Sequence, residues 1–379
     1  MLDSLLIKNF RALEHLEVPK LGRVNLMVGK NNSGKSTVLE ALRIYAGNAQ
    51  RLLLEAIAQE HDERYRTHES ETLDEDTLMP FQDFFPNRSF PKDDTAIEIG
   101  SATSAEARLK ISHGLMEETL AEPEVFEGET INRIRRRYIS KLEAASFLGD
   151  LQQVILVRKG DRIFPPLKLL NGLRRTSTHD VPSVPCSFIP TEFISMDELG
   201  DEWDRIVFTE QEVIVKRALL VIEPNFENLT FVRADGPLRS RASRTAMVKL
   251  KGIDRPVPLN SMGDGMLRVL QLSLKLFAAK GGFLLIDEFE NGLHYSVQEK
   301  VWALLFEVAE KHNIQIFATT HSWDCIESFT KVAVARTETD GMLFRLGRSA
   351  RTSDHGRVIA TVFDEEALQN ITQQDVEVR

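Results

Sequence analysis

The sequence predicts an α/β fold built on a parallel core sheet, and three observations predict it. Short apolar-rich runs at residues 23–28, 282–286 and 314–318 read as buried strands. Each is followed by glycine or polar residues and then by a stretch with helical periodicity. No heptad pattern persists over several repeats, so a long coiled coil is not expected.

Element by element, residues 2–8 (LDSLLIK) and 23–28 (RVNLMV) read as strands. The second runs into residues 29–36 (GKNNSGKS) and a helix closed by Gly47. Residues 50–60 continue helically, and the acidic stretch to about Asp94 reads as loop with short helices around FQDFF. Residues 97–101 and 107–112 suggest paired strands. In 129–149, Ile131, Ile134, Tyr138, Leu142 and Ala145 recur at three- and four-residue steps with arginines opposite, which predicts an amphipathic helix about 30 Å long. Residues 153–157 and 162–164 flank Lys159-Gly160-Asp161 as a hairpin, and Pro165, Pro166, Pro182 and Pro185 punctuate the entry to a second unit. A helix then a strand follow over 213–232, and a clear helix over 263–279. The strand at 282–286, a helix at 296–310 and the strand at 314–318 come next, and residues 332–335 and 342–346 close as a strand pair.

At 379 residues, 42% hydrophobic and 27% charged, the chain can bury a substantial core and carries no tract biased enough to stay unfolded. Cys186 and Cys325 are too few for a disulfide framework or a zinc cluster and suit a reducing compartment. Without an apolar run of the ~18 residues that a span needs, or a signal-peptide pattern, a cytoplasmic protein with no membrane partner is expected. A net charge of −10 argues against coating nucleic acid with the whole surface. That mean hides two segments: residues 51–100 hold thirteen acids against five Lys/Arg, and residues 131–175 eleven Lys/Arg against three acids. Arg133, Arg135, Arg136 and Arg137 head the basic segment, which has two readings: a solvated or self-paired surface, or a contact for a phosphate backbone such as DNA. Trp203, Trp302 and Trp323 read as core anchors rather than base-stacking groups.

The chemistry lies in the strand ends. Gly29, Lys30, Asn31, Asn32, Ser33, Gly34, Lys35 and Ser36, with Thr37 after them, fit G-x-x-x-x-G-K-[ST] between a strand and a helix. Glycines let consecutive N–H groups and the helix N-terminus face phosphate oxygens, Lys35 reaches the β and γ phosphates, and the Ser36 hydroxyl suits Mg²⁺. ATP and Mg²⁺ are therefore the expected cofactors. Asp287, at the end of the strand 282–286, supplies the second metal carboxylate, and Glu288 is placed to polarise the attacking water. The strand at 314–318 ends in Thr319-Thr320-His321-Ser322. If it neighbours the acidic strand, His321 would donate to the γ phosphate and sense its loss.

The opening LLIKNFRAL and VNLMVGKNNSGKST resemble ATP-binding-cassette ATPase heads of the RecF, SMC and OLD (overcoming lysogenization defect) kind. That resemblance implies a phosphate or ribose contact for Arg11. It also puts residues 259–265 (LNSMGDG) in the place of the signature motif, with Ser261, Gly263 and Gly265 against the γ phosphate held by an opposite subunit. The departure from Leu-Ser-Gly-Gly-Gln disfavours a transporter motor. Residues 290–294 are similar to the family's D-loop, where His294 would line the dimer interface or simply pack and hydrogen-bond. Gln82, Gln152 and Gln153 are alternative Gln-loop residues. HYSVQEKVW and TTHSWDCI resemble a stand-alone bacterial group of AAA-type ATP-binding proteins that includes ATPases of phage-defence systems. OLD nucleases carry a TOPRIM domain after the His region; DEEALQNITQQDVEVR has no matching Glu and Asp-x-Asp, so no intrinsic nuclease is expected.

The resemblance thus implies a bilobal head with a mixed N-terminal sheet, a parallel core sheet and an inserted α+β region. Expected boundaries are an N-terminal lobe at 1–120, a basic insert at 121–185, a C-terminal lobe at 186–350 and a tail at 351–379. The expected activity is Mg-dependent ATP hydrolysis in an ATP-assembled dimer or higher homo-oligomer that controls an effector, a nuclease or toxin encoded nearby, in antiviral defence. The alternative is a RecF-like DNA-binding ATPase in repair or maintenance.

Overall fold

The computed structural model describes residues 1–63, 81–120, 124–126, 129–131, 134–139, 143, 151–169, 183–233, 244–336, 340–349, 351 and 356–363. Contacts divide the chain into two compact units that interleave in sequence: Ser4–Glu17 with Glu40–Ser183, and Met1–Asp3 with Val18–Leu39 and Val184–Arg379. Strands are numbered along the chain.

The first unit is built on an eight-stranded sheet of β1 (Leu5–Phe10), β2 (Leu13–Val18), β4 (Ile97–Gly100), β5 (Leu109–Leu120), β8 (Ile134–Ile139), β9 (Gln152–Lys159), β10 (Arg162–Ile163) and β11 (Leu167–Lys168). Its main order is β10-β9-β5-β4-β1-β2, with β11 also on β9 and β8 also on β5. Leu54, Ile57 and Ala58 of α2 (Arg51–Glu60) are buried, and the Phe10 and Phe84 rings stack at 6.2 Å. The paired strands expected at 97–112 and the hairpin after residue 152 are both present.

The amphipathic helix expected over 129–149 does not form over the described residues 129–131 and 134–139, which are strand, whereas Glu143 is helical. Residues 129–131 are β7 (Glu129–Ile131), paired with β6 (Glu124–Phe126), and 134–139 are β8, paired antiparallel with β5. Ile134 and Tyr138 are four residues apart and so share a side of a strand as readily as of a helix. The deciding contact is distant in sequence: Arg136 lies opposite Glu118 and Arg137 opposite Glu117, pairings of opposite charge across the ladder. Residues 140–142 and 144–150 lie outside the described residues.

The second unit carries the core sheet. β3 (Val24–Val28), β12 (Cys186–Ile189), β16 (Phe283–Ile286), β17 (Gln315–Thr320), β18 (Gly341–Arg348) and β19 (Val358–Phe363) are ordered β12-β16-β17-β3-β18-β19. The first five run parallel, and β19 returns antiparallel on β18. Every residue of β3, β16 and β17 is buried, as a sheet covered on both faces requires. The covering helices are α3 (Met196–Ile206), α4 (Glu210–Ile222), α5 (Asp264–Ala278), α6 (Tyr295–Lys311) and α7 (Trp323–Ala335), and α1 (Lys35–Ala46) starts directly after the glycine loop. A three-stranded sheet, β13 (Phe226–Arg233), β14 (Arg244–Leu250) and β15 (Val257–Pro258), packs with α3.

Trp302 stacks on Phe289 at 3.8 Å and meets Phe329 edge-on, and Trp203 is also buried. Trp323 is partly buried against the same core, so all three tryptophans are core groups as expected. Residues 332–335, expected as a strand, are instead the last turn of α7. Ser322 accepts a hydrogen bond from Cys325 N, which starts the helix, and Val332 and Ala333 are buried on it. No helix among the described residues is long and apolar enough to cross a membrane.

Candidate functional site

Parallel register brings three strand ends together. Ile286 is opposite Ala318, and Thr320 is opposite Val28, so Gly29, Asp287 and His321 leave adjacent strands at the same edge of the sheet. That edge, outside the carboxyl ends of parallel strands, is where such folds hold ligands.

The loop after β3 has little freedom. Gly29 lies at φ 151°, and a Cβ there would collide with Leu346 O and meet Ser33 Oγ at 2.7 Å; Asn32 and Gly34 also take positive φ, at 61° and 95°. Lys35 is buried, and its Nζ donates to Gly29 O at 2.8 Å and to Lys30 O at 3.2 Å. Gly29→Ala should weaken binding of a fluorescent ATP analogue by more than about tenfold, or ~1.4 kcal/mol, since the loop must open around the new methyl. Fluorescence titration of the folded variant reads this, and unchanged affinity would show that the close approach is irrelevant.

Side chains of the three strand ends meet within hydrogen-bonding range. Ser36 Oγ donates to Asp287 Oδ2 at 3.0 Å, Lys35 Nζ lies 3.3 Å from His321 Nδ1, and His321 Nε2 lies 3.5 Å from Glu288 Oε1. Burial pulls the Lys35 ammonium below the ordinary lysine value, while Asp287, Glu288 and Glu290 oppose that shift. The donor set suits phosphate and Mg²⁺. A hydroxyl and a carboxylate offer hard oxygens, and Ser33 Oγ is buried in the loop with no hydrogen-bond partner.

Three residues that the sequence did not single out hold this arrangement. Thr319 Oγ1 donates to Asp287 Oδ1 at 2.6 Å and accepts from Glu288 N at 2.8 Å. The fully buried Arg268 of α5 donates to Pro190 O, Asp287 O and Glu288 O at 2.7–2.8 Å, and burial lowers its pKa to about 10. Glu290 Oε1 accepts from His321 N at 2.8 Å and Ser322 N at 3.1 Å. Arg268 left a trace as the one arginine of α5, and Glu290 and Thr319 lie in the segments 290–294 and 319–322 already read, but none of the three was given this part.

The other expected residues are placed as follows. Ser261 is exposed, with its Oγ donating to Pro258 O at 2.7 Å, and Gly263, at φ 89°, precedes α5 with open space where a Cβ would sit. A Cβ on Gly265 would lie 3.2 Å from Gly292 O, so the segments expected as signature (259–265) and D-loop (290–294) lie close together in the chain. His294 caps α6, its ring nitrogen accepting from Ser296 N, which is the hydrogen-bonding reading of that residue. Arg11 belongs to the other unit. There its guanidinium reaches Glu63 at 2.5 and 3.0 Å and Glu40 at 2.9 Å. Gln82, Gln152 and Gln153 are in that unit too. Arg133 lies outside the described residues, and Arg135 is described only in its place in β8, opposite Thr119. Arg136 and Lys168 both pair with Glu118, at 3.0 and 2.7 Å, so part of the basic segment is self-paired.

Residues 1–146 match the family model described as "AAA ATPase domain", and residues 192–324 match the one described as "AAA domain, putative AbiEii toxin, Type IV TA system". A Helicobacter pylori protein named "ATP/GTP phosphatase" is 22% identical over 352 residues, covering 88% of this chain and 88% of that protein. Among solved structures, an SMC head bound to the C-winged helix domain of ScpA is similar at a TM-score of 0.50 and 15% identity, over 97% of this chain and 99% of that one. That likeness concerns the fold, and the two family models fall on the segments that supply the glycine loop and the acidic strand. With phosphate loop, acidic strand and histidine strand gathered at one sheet edge, the chain has a fold similar to that of an SMC head and carries two segments that match AAA ATPase family models.

Proposed function

We propose that this head is an ATP-hydrolysing switch that assembles with a second copy around bound ATP and so controls a partner effector. The observation that carries the reading is the convergence of Lys35, Ser36, Asp287, Glu288 and His321 at one edge of the sheet. Lys35 and the loop N–H groups would hold the phosphates, and Glu288 would take a proton from the attacking water. His321, between Lys35 and Glu288, would hydrogen-bond the γ phosphate. Ser36 and Asp287 would hold Mg²⁺, which when bound supplies charge neutralisation across the β and γ phosphates.

The exposed Ser261 to Gly265 segment, leading into α5, would close on the nucleotide of the second head. ATP then favours the closed assembly by as much as those γ-phosphate contacts are absent from the open one. The name of the Helicobacter relative supports hydrolysis. The description of the 192–324 match names a putative toxin of a toxin–antitoxin system, and the proposed effector, a nuclease or toxin encoded alongside, with its antiviral role, rests on the resemblance to ATPases of phage-defence systems.

Phosphate release and light-scattering mass, measured with and without MgATP, test this. The unmodified protein should hydrolyse ATP and gain mass with it, and Lys35→Ala should do neither, losing at least about 100-fold in kcat/KM. A wild-type protein that releases no phosphate would end the proposal.

A further inference from the structure

Glu290 has no assigned part in the reaction, yet it accepts main-chain hydrogen bonds from His321 and Ser322. His321 sits between the last residue of β17 and Ser322, the cap of α7, and its side chain is about one-third exposed. Its ring contacts are long, 3.3 Å to Lys35 and 3.5 Å to Glu288. The firm attachments are on its backbone, where His321 N and Ser322 N both donate to the single oxygen Glu290 Oε1, at 2.8 and 3.1 Å. A carboxylate at the N-terminal end of α7 is also favoured by the helix dipole.

Glu290 is itself held in place. Phe289 N donates to Thr319 O at 2.9 Å, Leu293 N to Glu290 O at 2.8 Å, and Asn291 Nδ2 to Thr191 O at 2.5 Å. The loop that follows the acidic strand therefore has a fixed path, and its carboxylate has a fixed reach.

We infer that Glu290 is a positioning residue for ATP hydrolysis, which sets the His321 imidazole over the γ-phosphate position by accepting from the two backbone N–H groups of residues 321 and 322. This rests on the reading of the site as an ATPase. What matters is acceptor geometry, so reach counts for more than charge. Glutamine keeps the length and an acceptor oxygen, whereas aspartate keeps the charge but is one methylene short of both N–H groups.

Steady-state ATPase kinetics of wild type, Glu290→Gln, Glu290→Asp and Glu288→Gln, with circular dichroism to confirm folding, separate the possibilities. Glu290→Asp should lose about tenfold or more in kcat, with KM unchanged, because the histidine contact counts mainly in the transition state. Glu290→Gln should stay near wild type. The opposite order, with Gln poor and Asp near normal, would mean that charge beside Lys35 is what counts and would overturn the inference, as would two variants both like wild type. If the Asp variant does not fold, Glu290→Ala takes its place: a loss of about tenfold or more in kcat with Glu290→Gln near wild type supports the inference, and an Ala variant like wild type overturns it. Wild-type protein inactive in the same assay would instead mark failure of the ATPase reading.

Discussion

Glu288→Gln will lower kcat for ATP hydrolysis by about 10²- to 10⁴-fold while leaving ATP binding close to wild type, the loss typical of removing a positioned general base. The amide has the shape of the carboxylate but cannot take a proton from water. Little else should change, because the residue is held through its backbone: its N–H donates to Thr319 Oγ1 at 2.8 Å and its carbonyl accepts from Arg268 at 2.8 Å. Those bonds keep Glu288 at φ 46°, a left-handed conformation uncommon for a non-glycine residue and concentrated at functional sites. Binding and assembly precede hydrolysis in the proposed cycle, so the variant should also accumulate as an ATP-dependent oligomer, seen as a persistent mass increase by light scattering. A variant that still turns over ATP at the wild-type rate would remove Glu288 from the chemistry. One that binds ATP but forms no lasting oligomer would remove the switch.

How much of this was legible in the sequence depended on how local the signal was. The glycine loop could be read because strand, loop and helix are contiguous and the requirement for positive φ at Gly34 is met by a glycine. Asp287, Glu288 and His321 could be read because each ends or follows a strand buried on both faces, and such strands are continuous apolar runs. Thr319 and Glu290 could not, since a threonine inside a strand and a glutamate in a loop gain meaning only from a partner some 31 or 32 positions away. The error at 134–139 has the same origin. Ile134 and Tyr138, four residues apart, suit two periodicities, and the choice is made by β5, whose Glu118 and Glu117 face Arg136 and Arg137. Residues 332–335 failed differently: a buried turn of helix and a buried strand are equally apolar, and a capping serine ten residues earlier decides.

Replacing Arg268 is expected to damage both stability and turnover, and in a way that separates the two. Its guanidinium lies fully buried in α5 and spans three carbonyls, Pro190 O after β12 and Asp287 O and Glu288 O after β16. It therefore ties a helix to the ends of two neighbouring strands. Burial costs the cation, lowering its pKa to about 10, and the carboxylates of Glu290, Asp287 and Glu288 repay part of that cost. In Arg268→Leu the buried charge is gone, but Pro190 O and Asp287 O lose this donor while Glu288 O keeps Asn291 N at 3.0 Å; at about 1–3 kcal/mol for each unpaired group, less the relief of desolvating the cation, the net loss should be about 2 kcal/mol. Arg268→Lys restores a charge but not the fork, so one ammonium cannot serve both strand ends. The lysine variant should therefore recover part of the melting temperature lost by the leucine variant, yet keep a kcat about tenfold or more below wild type, because the Asp287 and Glu288 backbone is no longer fixed. Thermal denaturation and phosphate release on the same two preparations check this. Full activity in Arg268→Lys would show that the charge alone is enough, and that the carbonyl contacts are incidental to the placing of Glu288.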